Sequence, residues 1–278
     1  MPELPEVETV RRGVDAEFVG RVIRSVAAGG VRTLRRHGHP GELVERVRGR
    51  RLLGTGRRGK YLTLGLDSGD VVVVHLGMSG QLLKAAAGDP PVKHTHVTFG
   101  FDGGAELRFV DPRTFGEVFV TAPAGSGGVL PELAHLGVDP LEGIPEQGTL
   151  AALLAGRSTR LKPLLMDQTR IAGIGNMYAD EILFAAGLRF DRPAGSLTSA
   201  EVERLWRAMV TVLNAAIVHR GSSFADEQYR DLYGKLGGYQ HLHTVYAREG
   251  RPCPRCGTPV ERVRFGGRSN FFCAGCQK

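Results

Sequence analysis

Residues 253–276 read CPRCGTPVERVRFGGRSNFFCAGC, and this stretch fixes the architecture of the C-terminal end. It holds all four cysteines of the chain, as two C-x-x-C pairs separated by sixteen residues. Two such knuckles at that separation place four thiolates, Cys253, Cys256, Cys273 and Cys276, tetrahedrally around one Zn²⁺. VERVRF and SNFFC, on either side of GGR, predict the two strands of a hairpin between the knuckles. Four protein ligands leave the metal no open position, so the zinc is structural and not catalytic. Residues 251–278 also carry five arginines and Lys278 against Glu261 alone. A small solvated domain needs charge for solubility, but a basic hairpin with Arg268 at its tip reads as a nucleic-acid contact.

Upstream of the ribbon the pattern is helical. TLAALLAG, RLKPLLMD and NMYADEILFAAG are followed by a long helix that the capping box of Thr198 and Glu201 opens. Val202, Leu205, Trp206, Met209, Leu213, Ala216 and Ile217 form its core stripe. In DQTRIAGIGNMYADEILFAAG the glycines Gly173 and Gly175 make a tight turn, and Asn176 is placed to cap the next helix. That helix start is either an ordinary cap or a docking point for a DNA phosphate. Residues 222–250 are polar and glycine-broken, which predicts a mobile loop.

Nearer the N-terminus a first helix is expected from about Pro5 to Phe18, with Val7, Val10, Val14 and Phe18 on one face. From Arg21 to Val120 the runs RVIRSV, KYLTLGL, VVVVHLGM, HVTFGF, ELRFV and EVFV predict an antiparallel sandwich of roughly eight strands. The whole is an α+β multidomain chain: residues 1–121 an N-terminal β-sandwich with a leading helix, 122–148 a Gly- and Pro-rich linker, 149–250 a helical domain, and 251–278 the zinc hairpin.

A net charge of +7 points to an anionic partner, nucleic acid first and an acidic membrane surface second. No apolar run is long enough to span a bilayer and no signal peptide is present, so a cytoplasmic location is expected. Gly54 to Lys60 satisfies both G-x-G-x-x-G and G-x-x-x-x-G-K, but a strand follows where either nucleotide motif needs a helix. The stretch instead reads as a flexible turn that presents Arg57, Arg58 and Lys60 to a phosphodiester backbone. His94 with His96, and His241 with His243, have pairwise metal spacing, but no Cys or carboxylate completes a site.

The chain opens MPELPEVETVRRG. Removal of Met1 leaves Pro2 with a secondary amine, and a free α-amine has a pKa about 2.5 units below that of lysine, which makes it a nucleophile at neutral pH. Attack on a sugar C1′ gives an iminium with no N–H to lose, which remains an electron sink. Glu3 would donate a proton and Glu6, one turn on, would relay or orient. Simple helix initiation explains the same residues, and on this stretch both readings stay open.

MPELPEVETVRRG, HLGMSG, DPRTFG, GIGNMYADE and the four-cysteine ribbon, in this order, resemble bacterial formamidopyrimidine-DNA glycosylases over residues 2–278. The resemblance implies an N-terminal β-sandwich, a helix-two-turns-helix domain and a zinc hairpin. It implies a bifunctional DNA glycosylase and abasic-site lyase of base-excision repair, monomeric, that excises formamidopyrimidines and 8-oxoguanine. By the same resemblance Pro2 forms the Schiff base, Glu3 is the acid that opens the deoxyribose, and Glu6 supports both. Lys60, Asn176 and Arg268 bind phosphates near the lesion, Lys60 and Arg268 being grouped with the catalytic set. Met78, Arg113 and Phe115 fill the gap left by the extruded nucleotide, Lys162 lies near the lesion, and residues 222–238 hold the oxidised base. Thr114 departs from the family's second arginine in DPRRFG. The rival readings are a non-catalytic zinc-ribbon DNA-binding protein and an endonuclease VIII-like enzyme for oxidised pyrimidines, a group that has Gly where this chain has Leu4.

Overall fold

In the computed structural model of the chain the described residues are 1–39, 41–122, 130–142, 147–224 and 228–278. They divide into two compact units, Met1–Ala134 with His219–Gly238, and His135–Val218 with Tyr239–Lys278.

The first unit begins with α1 (Leu4–Phe18), which buries Val7, Val10, Val14 and Phe18 on the predicted face. Eight strands follow: β1 (Ile23–Ala28), β2 (Leu52–Arg58), β3 (Tyr61–Leu66), β4 (Val71–His75), β5 (Gln81–Ala86), β6 (Thr95–Phe101), β7 (Ala105–Val110) and β8 (Glu117–Thr121), with a short helix, α2 (Gly41–Val47), after β1. They form two four-stranded antiparallel sheets, ordered β1-β6-β7-β5 and β2-β3-β4-β8. One core takes Leu62, Val72 and Val74 from one sheet, Val97, Phe99 and Phe109 from the other, and Val10 and Phe18 from α1. The alternation of buried and half-exposed positions in β3 is what a sheet with one face on a core requires.

Three expectations change. First, GTGRR is strand β2, paired with β3 from Leu52↔Leu66 to Arg58↔Tyr61, and only Gly59–Lys60 turns. Gly54 and Gly56 carry no side chain to show a period of two, so the ladder is invisible in the sequence. Second, the stretch read as a linker, 122–148, holds a 3₁₀ turn at Pro131–Leu133 and buries Leu130, Leu133 and Leu136; 123–129 and 143–146 lie outside the described residues. Third, the loop that follows the long capped helix is packed where it is described. Tyr229 and Leu232 belong to the sandwich core, and Leu232 O accepts from Lys84 N at 2.8 Å on edge strand β5. The segment read as part of one helical domain, 149–250, is therefore divided, since 219–238 belongs with the N-terminal unit. Residues 225–227 lie outside the described residues.

The second unit contains α3 (Gln147–Leu154), α4 (Leu161–Met166), α5 (Asn176–Ala186) and α6 (Ser199–Val218), then the hairpin β9 (Glu261–Phe265) and β10 (Arg268–Phe272). The capping box of α6 is present: Thr198 N donates to Glu201 Oε2 at 2.9 Å and Glu201 N to Thr198 Oγ1 at 3.3 Å. Its predicted stripe is buried, with Trp206 half-buried at the margin. Among the described residues no helix is long and apolar enough to cross a membrane.

Leu232 sits where Gly13 on α1 leaves room, since a Cβ there would lie 3.0 Å from the Leu232 side chain. Leu232→Ala is expected to cost about 2–5 kcal/mol in denaturant unfolding and to speed hydrogen exchange of the Lys84 amide. Unchanged Lys84 exchange would mean that edge strand β5 does not depend on this segment.

Candidate active site and nucleic-acid interface

Met1 is exposed, and burial begins at Pro2. Pro2 and Glu3 precede α1, Glu3 is its N-cap, and Glu6 closes a capping box by accepting from Glu3 N at 2.8 Å through Oε2. Glu3 and Glu6 are both nearly inaccessible. The other Glu6 oxygen, Oε1, accepts from Ser222 N at 2.8 Å, so one carboxylate joins the first turn of α1 to segment 219–238. Gly221 has φ +73°, and a Cβ there would lie 2.6 Å from that oxygen, so glycine is required both for conformation and for room. While Met1 is attached the Pro2 nitrogen is an amide; its removal makes it a secondary amine, one residue before Glu3.

Lys60 occupies the β2–β3 turn beside Gly59 and is buried. Arg57, expected to face a phosphate backbone, is turned inward against Glu8 at 3.3 Å, and Arg11 and Arg12 bind the same carboxylate. Burial raises the pKa of Glu8, but these three cations outweigh it and hold the carboxyl below its usual range. His75, at the end of β4, lies 4.6 Å from the Tyr61 ring. Burial, with Lys60, Arg35 and Arg36 nearby, depresses it to about 4 against the pull of Glu117, and its Nδ1 accepts from Gly77 N at 3.2 Å.

Met78, Arg113 and Phe115 come together at one edge of the sandwich. Met78 lies in the β4–β5 loop, Arg113 and Phe115 in the β7–β8 loop, and both apolar side chains are exposed, at 39% and 41%. The loops meet backbone to backbone at two glycines: a Cβ on Gly77 would fall 2.5 Å from Gly116 N. The Arg113 and Arg32 guanidinium carbons lie 5.1 and 5.6 Å from the Phe115 ring centroid. Thr114 has φ +52°, a strained conformation for a β-branched residue.

In the second unit Asn176 is the first residue of α5 and not its cap; Gly175 is the N-cap, and Asn176 Oδ1 is buried with no hydrogen-bond partner among the described residues. Lys162 is buried with Nζ 2.7 Å from Asp180 Oδ1 and 3.1 Å from Ser269 O. It ties α4 and α5 to the hairpin. Burial raises Asp180 to about 7 against the pull of Lys162. Arg268 is exposed at the start of β10, next to the Gly266–Gly267 turn, and shares a cleft of about 250 Å³ with Lys162, Met166 and Phe265. The four cysteine sulfurs lie within 4.8 Å of one another, with Cys253–Cys276 at 3.8 Å and Cys256–Cys273 at 3.4 Å. Tetrahedral Zn–S bonds of about 2.3 Å imply Sγ···Sγ distances of about 3.8 Å, so the donor set fits one structural zinc. Neither histidine pair joins a metal cluster among the described residues. His96 hydrogen-bonds Asp111 O, and His243 is buried against Tyr239 and Tyr246.

Models of the formamidopyrimidine-DNA glycosylase N-terminal domain, the formamidopyrimidine-DNA glycosylase H2TH domain and the zinc finger found in FPG and IleRS match residues 1–118, 136–228 and 250–278. The formamidopyrimidine-DNA glycosylase of Pelotomaculum thermopropionicum is 43% identical over 278 residues, 100% of this chain and 99% of that protein. This chain belongs to the formamidopyrimidine-DNA glycosylase family. Among solved structures of the family, the MutM (Fpg) protein of Thermus thermophilus superposes with a TM-score of 0.86 at 40% identity, covering 99% of this chain and 98% of that one. Lactococcus lactis Fpg in complex with DNA containing an abasic site superposes at 0.88 with 32% identity, covering 99% of each chain.

Sequence reasoning missed three residues that this formamidopyrimidine-DNA glycosylase fold brings to the Met78–Phe115 edge: His75, Arg32 and Asp111. Only the glycines of HLGMSG and DPRTFG signalled that two loops had to touch. Because Nδ1 of neutral His75 accepts from Gly77, Nε2 carries the proton. The ring is expected to stay neutral in that tautomer from pH 7.5 down to about 5, and ¹⁵N-resolved imidazole NMR reads this directly. Titration near 6.5 would contradict it. For the zinc site, Cys253→Ser or chelation is expected to collapse the hairpin and abolish duplex binding while the β-sandwich keeps its fold. Unchanged binding without zinc would remove the hairpin from the DNA interface.

Proposed function

We propose that Pro2, freed of Met1, carries the chemistry of this enzyme as the nucleophile. Family membership makes the chain a DNA glycosylase and lyase acting on oxidised purines. The observation that carries the residue assignment is the burial of Glu3 and Glu6 at the start of α1, directly after the one residue whose α-amine is secondary.

The Pro2 nitrogen lone pair bonds C1′ of the damaged deoxyribonucleotide, the glycosidic C1′–N bond breaks with its electron pair on the base, and the base departs with the proton that the Pro2 nitrogen sheds. Glu3 delivers a proton to the ring oxygen as the sugar opens, leaving a cationic iminium between Pro2 and C1′. Loss of a C2′ proton then breaks the C3′–O bond, and loss of the C4′ proton in a second elimination breaks the C5′–O bond, each phosphate leaving with the electron pair of its bond. Each step draws electrons toward the iminium, which a primary-amine imine would have to be protonated to match. Glu6 keeps Glu3 in place through its backbone amide.

Lys60 and Arg268 supply cations to the phosphates beside the lesion, and the first turn of α5 with Asn176 offers a further phosphate contact. Met78 and Phe115 replace the stacking lost when the nucleotide leaves the duplex, and Arg113 faces the orphaned base. Segment 222–238, joined to Glu6 at Ser222, borders the extruded base, and formamidopyrimidine and 8-oxoguanine are the substrates. The enzyme acts as a monomer in the cytoplasm or on the nucleoid.

Borohydride trapping on an 8-oxoguanine:cytosine duplex, with mass mapping of the cross-linked peptide, tests the assignment. Mature protein should cross-link through Pro2, whereas protein that retains Met1 should lose trapping and strand cleavage yet keep duplex binding. Equal cleavage of abasic DNA by both forms would show that Pro2 is not the nucleophile.

A further inference from the structure

We infer that Asp111 is a positioning residue that locks the Met78 loop and the Arg113–Phe115 loop into one rigid wedge. The inference rests on the proposed wedge role of these side chains. Asp111 follows β7 directly and is completely buried. Its Oδ1 accepts from Ser79 Oγ at 2.6 Å and from Arg113 N at 3.2 Å; its Oδ2 accepts from Gly116 N at 2.7 Å. Ser79 immediately follows Met78, and Gly116 immediately follows Phe115. One side chain thus holds the residue next to each wedge tip, and the backbone of Arg113 as well.

The chemistry needed at this point is narrow. Three donors converge on one spot from two loops, so the group there must be short and accept through two oxygens. A carboxylate does this; the amide of Asn would turn its NH₂ toward at least one of the same donors. The glycine pair makes the junction close enough for the clamp to work, because Gly77 and Gly116 touch through their backbones. The loops are held from outside as well. Arg35 Nη1 donates to Gly116 O at 2.8 Å, His75 Nδ1 accepts from Gly77 N, and His96 Nε2 bonds Asp111 O at 2.9 Å.

The consequence is preorganisation. Met78 and Phe115 stand in water as large apolar side chains on loops, an arrangement whose ordering would otherwise be paid on entering the duplex. Fixing both loops on one buried carboxylate moves that entropy loss into folding, so that the three wedge side chains enter the stack together. Asp111 therefore acts on the rate at which a paired lesion is unstacked, and not on the bond-breaking at C1′.

The test compares Asp111→Asn, Ser79→Ala and Met78→Ala on two substrates, an 8-oxoguanine:cytosine duplex and a single strand with an abasic site. The single strand has no partner to unstack. Stopped-flow fluorescence of 2-aminopurine beside the lesion reads insertion, and thermal melting monitors the fold. Asp111→Asn and Ser79→Ala are expected to slow insertion and duplex excision about tenfold, the effect of losing one hydrogen bond to a charged group. Cleavage of the abasic single strand should stay within about twofold of wild type. Equal loss on both substrates would reduce Asp111 to a structural residue and overturn the inference. So would unchanged insertion in Asp111→Asn and Ser79→Ala while Met78→Ala is slow. If Met78→Ala itself inserts and excises normally, the wedge reading fails and the inference with it, a result the other two outcomes do not mimic.

Discussion

The carboxylate of Glu6 is the constraint on which the N-terminal unit turns. One oxygen closes the capping box on Glu3 N and the other receives Ser222 N, more than two hundred residues along the chain. A buried carboxylate is tolerated only when its oxygens are satisfied, and each of these two amides offsets part of the cost of burying it. The fold thereby ties the position of Glu3 and Pro2 to the placement of segment 219–238. Tyr229 and Leu232 then anchor that segment in the sandwich core, and Leu232 covers part of the edge of β5. A helix start, a core and an edge strand depend on the same short piece of chain.

In the second unit α5 has the corresponding role, through charged groups at its middle and at its C-terminus. Asp180 meets Lys162 and Phe271 N, and Glu181 accepts from the amides of Thr244, Val245 and Tyr246. At its C-terminus Arg255 donates to the carbonyls of Phe184 and Ala185, which a cation there satisfies along with the helix dipole. Cys253 and Cys273 pack with Phe184 and Val245, so the zinc hairpin is welded to this helix by apolar contact as well as by hydrogen bonds. Zinc fixes the internal geometry of the hairpin, and α5 fixes where that hairpin sits within its own unit. Arg268 inherits its position from both.

Much of this was legible in the chain as written. The apolar spacing of α1, the capping box and stripe of α6, and the doubled C-x-x-C pairs are local signals, because each depends on residues within a few turns of one another. The motif set MPELPE, HLGMSG, DPRTFG and GIGNMYADE likewise sufficed to mark the family. The Lys162–Asp180 pair was not legible, for the opposite reason. A lysine in RLKPLLMD carries no mark of Asp180, which lies eighteen residues on and meets it only once α4 packs against α5. Arg57 was misjudged similarly, since its partner Glu8 belongs to α1 and the glycines around it hid strand β2.

The sequence by itself determined α1 and α6, the antiparallel character of the sandwich and the zinc ligands. These are properties of periodicity, of capping and of donor type at short range. Only the tertiary structure decided which carboxylates are clamps and which cations are spent on structure. It assigned segment 219–238 to the sandwich, turned Arg57 and Lys162 inward, and set Asp111 beneath two loops that the chain separates by more than thirty residues. Hydrogen bonds between distant segments exist only where the fold closes the distance, and no local pattern records them.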